Sequence, residues 1–117
     1  MTWYLTLRPP PHRAAPIPTQ PVLDYLTAQP ELRRADPHQF ESVHGQPWVR
    51  VIVAATLLGG GYHYFAEAPA PERIDIVELI CGDDAPAHWY EALACRIAAH
   101  LDWTAVEEGE DRRLWPR

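Results

Sequence analysis

The sixteen residues HWYEALACRIAAHLDW (His88–Trp103) gather side chains that enzymes use: two histidines, a cysteine, a glutamate and an arginine. The sharpest chemistry available to such a set is a cysteine thiolate activated by a histidine base. That needs the two groups within hydrogen-bond reach. On a helix, His88 and Cys95 stand two turns apart, about 10 Å along the axis, which is too far. Cys81, just before the helix, could approach its start, so a Cys81–His88 pair stays geometrically open. Against it stands the common fate of a free cysteine, which is to act as a small buried hydrophobe.

Other chemistries find less support. The histidines at 12, 38, 44, 63, 88 and 100 form no H-x-x-x-H pair, and the two cysteines form no C-x-x-C, so no metal centre is expected. Ser42 is the only serine, and no serine–histidine–aspartate arrangement can be built on it. The triple glycine Gly59–Gly61 is not a phosphate cradle, because the motif that makes one ends in a lysine and the chain contains none. The adjacent carboxylates Asp83 and Asp84 precede a helix, where a capping role explains them better than acid–base work. No catalytic residue and no cofactor is assigned, and the chain is not expected to be an enzyme.

The helix that carries the opening residues is expected to build a core. At 100° per residue, Ala87, Tyr90, Leu93, Ala94, Ile97, Ala98 and Leu101 fall on one stripe, with Arg96, His100 and an exposed Trp89 opposite. Arg96 and His100 are neighbours on that outer face and would repel if both were charged. A second, shorter helix is expected at Thr19–Gln29, capped by Thr19, with Val22, Leu23 and Leu26 inward and Tyr25 flanking.

Strand patterns fill the rest. Trp3–Arg8 alternates, and a proline-rich connector (9–18) stops it. His38–His44 is expected as a strand anchored by Phe40. Trp48–Leu58 has one wholly apolar face and a mixed second face, as a central strand would. Arg73–Cys81 has apolar residues on both faces, with Asp75 beside Val77, Leu79 and Cys81; Glu78 breaks the row Ile74, Ile76 and Ile80 and needs a partner, and Arg50 is one candidate. Asp102–Val106 reads as a last short strand, and 107–117 as a charged tail whose Trp115 can fold back. The order β-α-β-β-(β)-β-α-β predicts a single α+β domain over 1–117: a largely antiparallel sheet of four to six strands with two helices packed on one face.

The bulk properties agree. A chain of 117 residues, 47% hydrophobic, suits one domain with an ordinary core. No apolar run approaches the roughly 20 residues of a membrane span. With no leader segment in view, the two cysteines read as reduced thiols of a cytoplasmic protein. The net charge of −6 is uneven: five arginines face four acids in 1–59, but five face twelve in 60–117. The second half is thus a poor partner for nucleic acid and a good one for a basic protein.

The segment Arg73–Val106 resembles small standalone bacterial immunity-type proteins, encoded beside contact-dependent or type VI toxins. The resemblance is carried by the strand Val77-Glu78-Leu79-Ile80 and the helix end Ile97-Ala98-Ala99-His100-Leu101-Asp102-Trp103. It implies a stoichiometric inhibitor of a cognate toxin with no catalytic residues to carry over, and by analogy a basic toxin such as a nuclease.

The leading expectation is therefore a non-enzymatic immunity protein. Its contact surface would comprise the acidic turn Asp83–Asp84, Trp89, Tyr62 and Tyr64 of the Gly59–Phe65 loop, and Glu107 and Glu108 at the start of the acidic stretch that runs to Asp111. One alternative is a small enzyme or ligand-binding domain with a pocket near Gly59–His63 and Cys81–Asp84. Another is a homodimeric accessory subunit using Trp48–Leu58 as an edge.

Overall fold

The chain's first strand lies in the interior of its main sheet. In a computed structural model, which describes residues 1–62 and 68–116, β1 (Trp3–Arg8) has β7 (Ile76–Cys81) on one side and β8 (Thr104–Glu107) on the other. The remaining strands of this sheet are β3 (Leu32–Asp36), β4 (Gln39–Ser42), β5 (Val49–Ala54) and β9 (Arg112–Trp115). The sheet runs β3-β4-β5-β7-β1-β8-β9, and every neighbouring pair is antiparallel. A separate two-stranded ladder joins β2 (Ile17–Pro18) to β6 (Arg73–Ile74). The α+β class is as expected, but the main sheet has seven strands rather than four to six.

Three of the differences have a local cause. β3 shows no alternation in sequence because Leu32 is its only buried residue. The stretch 73–81 is not one strand: Asp75 breaks it by accepting hydrogen bonds from the Thr56 backbone amide (2.7 Å) and hydroxyl (2.9 Å). The charged tail is largely β9, folded back on β8 through a turn in which Glu107 Oε2 accepts from the Glu110 amide at 2.7 Å. Charged residues at a hairpin tip and edge strand blur the signal of period two.

The odd-numbered positions of the central strands (Leu5, Leu7, Val49, Val51, Val53, Val77, Leu79) face α1 (Thr19–Thr27) and α2 (Ala87–Leu101) in one core. From α1 come Val22, Leu23 and Leu26, and from α2 come Tyr90, Leu93, Ala94, Ile97 and Ala98. Of the expected α2 stripe, Ala87 is exposed and Leu101 only half-buried. β7 and β8 both run opposite to β1, so they are parallel to each other, and α2 is the crossover that parallel strands require. Its end is sharply made. Asp102 takes the left-handed conformation (φ 59°), the Trp103 amide bonds back to Ala98 O and the Asp102 amide to Ala99 O, and Trp103 is buried against the core.

Neither helix begins as expected. Pro18 and Pro86 hold the N-terminal positions and no side chain caps either helix. Thr19 is buried with its hydroxyl unpaired, while its amide donates to Glu72 O at 3.0 Å. β5 is central as expected, which removes the dimer edge proposed for Trp48–Leu58: the sheet's edges are β3 and β9. No helix among the described residues is long and apolar enough to cross a membrane.

Candidate functional site

The face of the sheet turned away from the helices carries the polar groups. Its register lines up one row across six strands: Gln39, Ile52, Glu78, Thr6, Val106 and Arg113. Ile52, Ala54 and Ile76 on this face are buried yet lie outside the helix-side core. The segment between β5 and β6 reaches this side of the molecule at Tyr62, and His38 Nδ1 meets Ala68 O at 3.2 Å.

Glu78 sits at the centre of the row, 9% exposed. Its two oxygens are divided between two hydroxyls. Tyr62 donates to Oε1 at 2.8 Å and Thr6 to Oε2 at 2.9 Å. Arg50, the partner anticipated from sequence, pairs instead with Glu41 at 3.3 Å, because Arg50 stands opposite Glu41 and Ile80, one row away. Burial first, and then the Glu78 carboxylate, push the Tyr62 phenol well above its ordinary range. It therefore stays a donor at any physiological pH. The Thr6 hydroxyl also meets Glu108 Oε1. Beside this contact a cleft of about 430 Å³ is lined by Thr6, Arg8, Val106, Glu108 and Asp111. The arrangement offers oxygen acceptors to an incoming donor, with Val106 as an apolar wall. Among the described residues no three of His, Cys, Asp and Glu are grouped to hold a metal ion.

The same register settles where the sequence-expected residues lie. Cys81 pairs with Trp3 and with Val49, and Leu5 pairs with Glu107. The turn after β7, the start of β1 and the β8–β9 turn therefore share one end of the sheet. Asp83 is exposed there, 3.3 Å from the N-terminal ammonium. Glu108 is exposed at the same end and Glu107 is half-buried in its turn. Trp48 (39% exposed) and Tyr4 (40%) are nearby aromatics. Asp84 serves the fold instead, accepting from the Trp48 amide at 2.9 Å and from the Tyr90 hydroxyl at 2.7 Å. The Trp48 amide foremost, then Tyr90, holds its carboxyl below the ordinary value.

Trp89 is not fully exposed; it is half-buried, edge-on to Tyr90 with centroids 5.1 Å apart. Tyr62 lies on the helix-free face, joined through Glu78 and Thr6 to Glu108; Tyr64 and His63 lie outside the described residues. The described parts of the two segments expected to border a pocket, Gly59–His63 and Cys81–Asp84, lie toward opposite ends of the sheet. The described part of the first, the Leu57–Gly61 turn, follows the end of β5 at which Ala54 pairs with Ile76, whereas Cys81 is at the far end of β7.

The helix α2 groups are tied up in packing. Arg96 grips both oxygens of Glu31 (2.7 and 2.8 Å), and His100 stacks on Tyr25 at 3.7 Å, so their expected repulsion is offset by partners from elsewhere in the chain. Cys81 is fully buried on the helix side, and burial pushes its thiol up to about 12, which leaves it inert as a nucleophile. His88 is exposed. Cys95 is half-buried, its Sγ 3.7 Å from Leu114 O, beside a second cleft of about 320 Å³ bordered by Glu91, Arg112 and Arg113.

Sequence reasoning singles out Glu78 as a misfit but misses Thr6, Arg8 and Val106. Each fits an ordinary strand alternation, and nothing local says that β1 and β8 meet. Comparison of the chain with family models, with curated proteins and with solved structures finds no match.

Proposed function

We propose that this chain is a non-enzymatic binding protein that neutralises a basic protein toxin by stoichiometric contact, in the manner of the immunity-type proteins that its second half resembles. The observation that carries this reading is the convergence at one end of the sheet. Two acidic turns far apart in sequence, at Asp83–Asp84 and Glu107–Asp111, meet there beside half-exposed Trp48 and Tyr4. Carboxylates around aromatic anchors suit a basic partner: the charges steer encounter and the rings supply contact area. Arg112 subtracts little from this field because it is paired with Glu91 at 2.7 Å.

The experiment is co-expression with the product of the adjacent gene, scored by survival and co-purification, followed by association kinetics of charge-reversed variants. Asp83→Lys and Glu110→Lys are the variants of choice, because Asp84 and Glu107 hold the fold together. Rescue together with an association rate that falls on charge reversal and depends steeply on salt supports the reading. A protein that neither rescues nor co-purifies removes it.

A further inference from the structure

The cleft on the helix-free face has more acceptor than donor. Thr6 carries one hydroxyl hydrogen, and that hydroxyl lies against Glu78 Oε2 and Glu108 Oε1 together. One hydrogen serves one of these oxygens, and the other faces lone pairs. Tyr62 spends its hydrogen on the far oxygen of Glu78. Arg8, the cation on the cleft's rim, directs Nη1 to the Thr56 hydroxyl at 3.3 Å, toward the opposite end of the sheet. Glu108 and Asp111 are both exposed, so the mouth of the cleft is acidic, and Val106 lines it with an apolar surface.

We infer that this cleft is the socket for an arginine side chain of the protein partner. The guanidinium would lie between Glu108 and Asp111 and supply the hydrogen that Thr6 cannot give to both carboxylates, while its methylene stem lies along Val106. A planar fork of five donors suits two carboxylates in one mouth better than a compact ammonium does, and an apolar wall beside an acidic mouth matches the amphipathic stem and head of arginine. The inference rests on the reading of the acidic end as a surface for a basic protein, and it adds which group of that protein is recognised and where.

The probe is the peptide acetyl-Gly-Arg-Gly-amide, titrated into the full chain at low salt and followed by the backbone amide NMR shifts of Thr6 and Val106. Saturable shifts are expected. Glu108→Gln should weaken binding about tenfold or more, the loss typical of a charge-assisted hydrogen bond. Asp111→Asn should weaken it similarly while tolerating the left-handed backbone at that position (φ 52°). Asp24→Asn, an exposed carboxylate on α1 and so on the other side of the sheet, should change it less than about twofold, since only screened long-range charge is lost. No saturable shift, or an equal loss from Asp24→Asn, overturns the socket. Agmatine binding about tenfold more tightly than the peptide also overturns it, in favour of a free amine ligand. The two readings fail separately. If the peptide does not bind but Asp83→Lys still slows association with the toxin, only the socket falls. If charge reversal leaves association unchanged, the acidic-end reading falls whatever the peptide does.

Discussion

The Tyr62 hydroxyl donates to Glu78 Oε1 at 2.8 Å and so ties the segment after the triple glycine to the middle of the sheet. Residues sixteen apart in sequence thus close over a face that the helices leave bare. Tyr62→Phe removes the donor and leaves a nearly buried carboxylate with Thr6 alone. The expected cost is about 1–2 kcal/mol, moderated by the partial exposure of the phenol. Denaturant unfolding measures it, and the 55–62 amides should lose hydrogen-exchange protection before the core does. A variant as stable and as protected as the parent would show that the contact does not hold this segment.

The hydrogen bond between Tyr90 and Asp84 predicts two pH limbs. Asp84 is held below its ordinary value, so its contribution is complete above roughly pH 4 and is lost as pH falls through the lowered value. Burial and then Asp84 raise Tyr90. Its contribution is therefore complete below roughly pH 10 and is lost as pH rises beyond that. Stability measured against pH for the parent and for Asp84→Asn should show the acid limb flattened in the variant. Identical acid limbs would refute the assignment.

The two thiols should differ sharply. With its thiol pushed up to about 12, Cys81 presents about one thiolate in ten thousand at pH 8, and it is fully buried as well. Alkylation of the native protein should modify Cys95 alone, and unfolding should release Cys81. Rapid native labelling of Cys81, read by mass spectrometry of the peptides, would contradict its position on the helix side of the sheet.

The C-terminal residues should behave as part of the core. Leu114 is buried on β9, so Leu114→Ala should cost about 2–4 kcal/mol in thermal or chemical unfolding. A mobile tail would lose nothing measurable.

The ion pair between Arg96 of α2 and Glu31 makes a further case for packing over chemistry. Arg96 directs a single nitrogen, Nη2, to both oxygens of Glu31 at the surface, a contact worth about 0.5–1 kcal/mol. Arg96→Lys keeps the charge but replaces the guanidinium by a shorter, more strongly hydrated ammonium. It should lower stability by a few tenths of a kcal/mol and leave partner binding untouched, since Arg96 stands on α2, on the helix side of the sheet. Impaired rescue by this variant would move the contact surface onto the helices.

What the sequence determined alone is whatever depends on periods of two and 3.6. β1 can be read from Trp3, Leu5 and Leu7, the α2 stripe from Tyr90 to Ile97, and the interior position of β5 from one wholly apolar face and a second that is partly so. Each is a local pattern that side-chain burial enforces within one element. Glu78 was legible as a polar group in need of a partner, for the same reason. Its partners were not legible. Thr6 and Tyr62 reach it only because β1 pairs with β7 and because the chain after β5 returns to the helix-free side. Likewise β9 could not be told from a tail, nor Asp84 from a helix cap. An edge strand of charged residues carries no internal period, and a carboxylate takes whichever amide and hydroxyl the register delivers. The meeting of Asp83 with Glu107 and Glu108 at one end is likewise a product of antiparallel pairing to β1. Pairing between strands seventy or more residues apart leaves no mark on either strand, and only the packed sheet decides it.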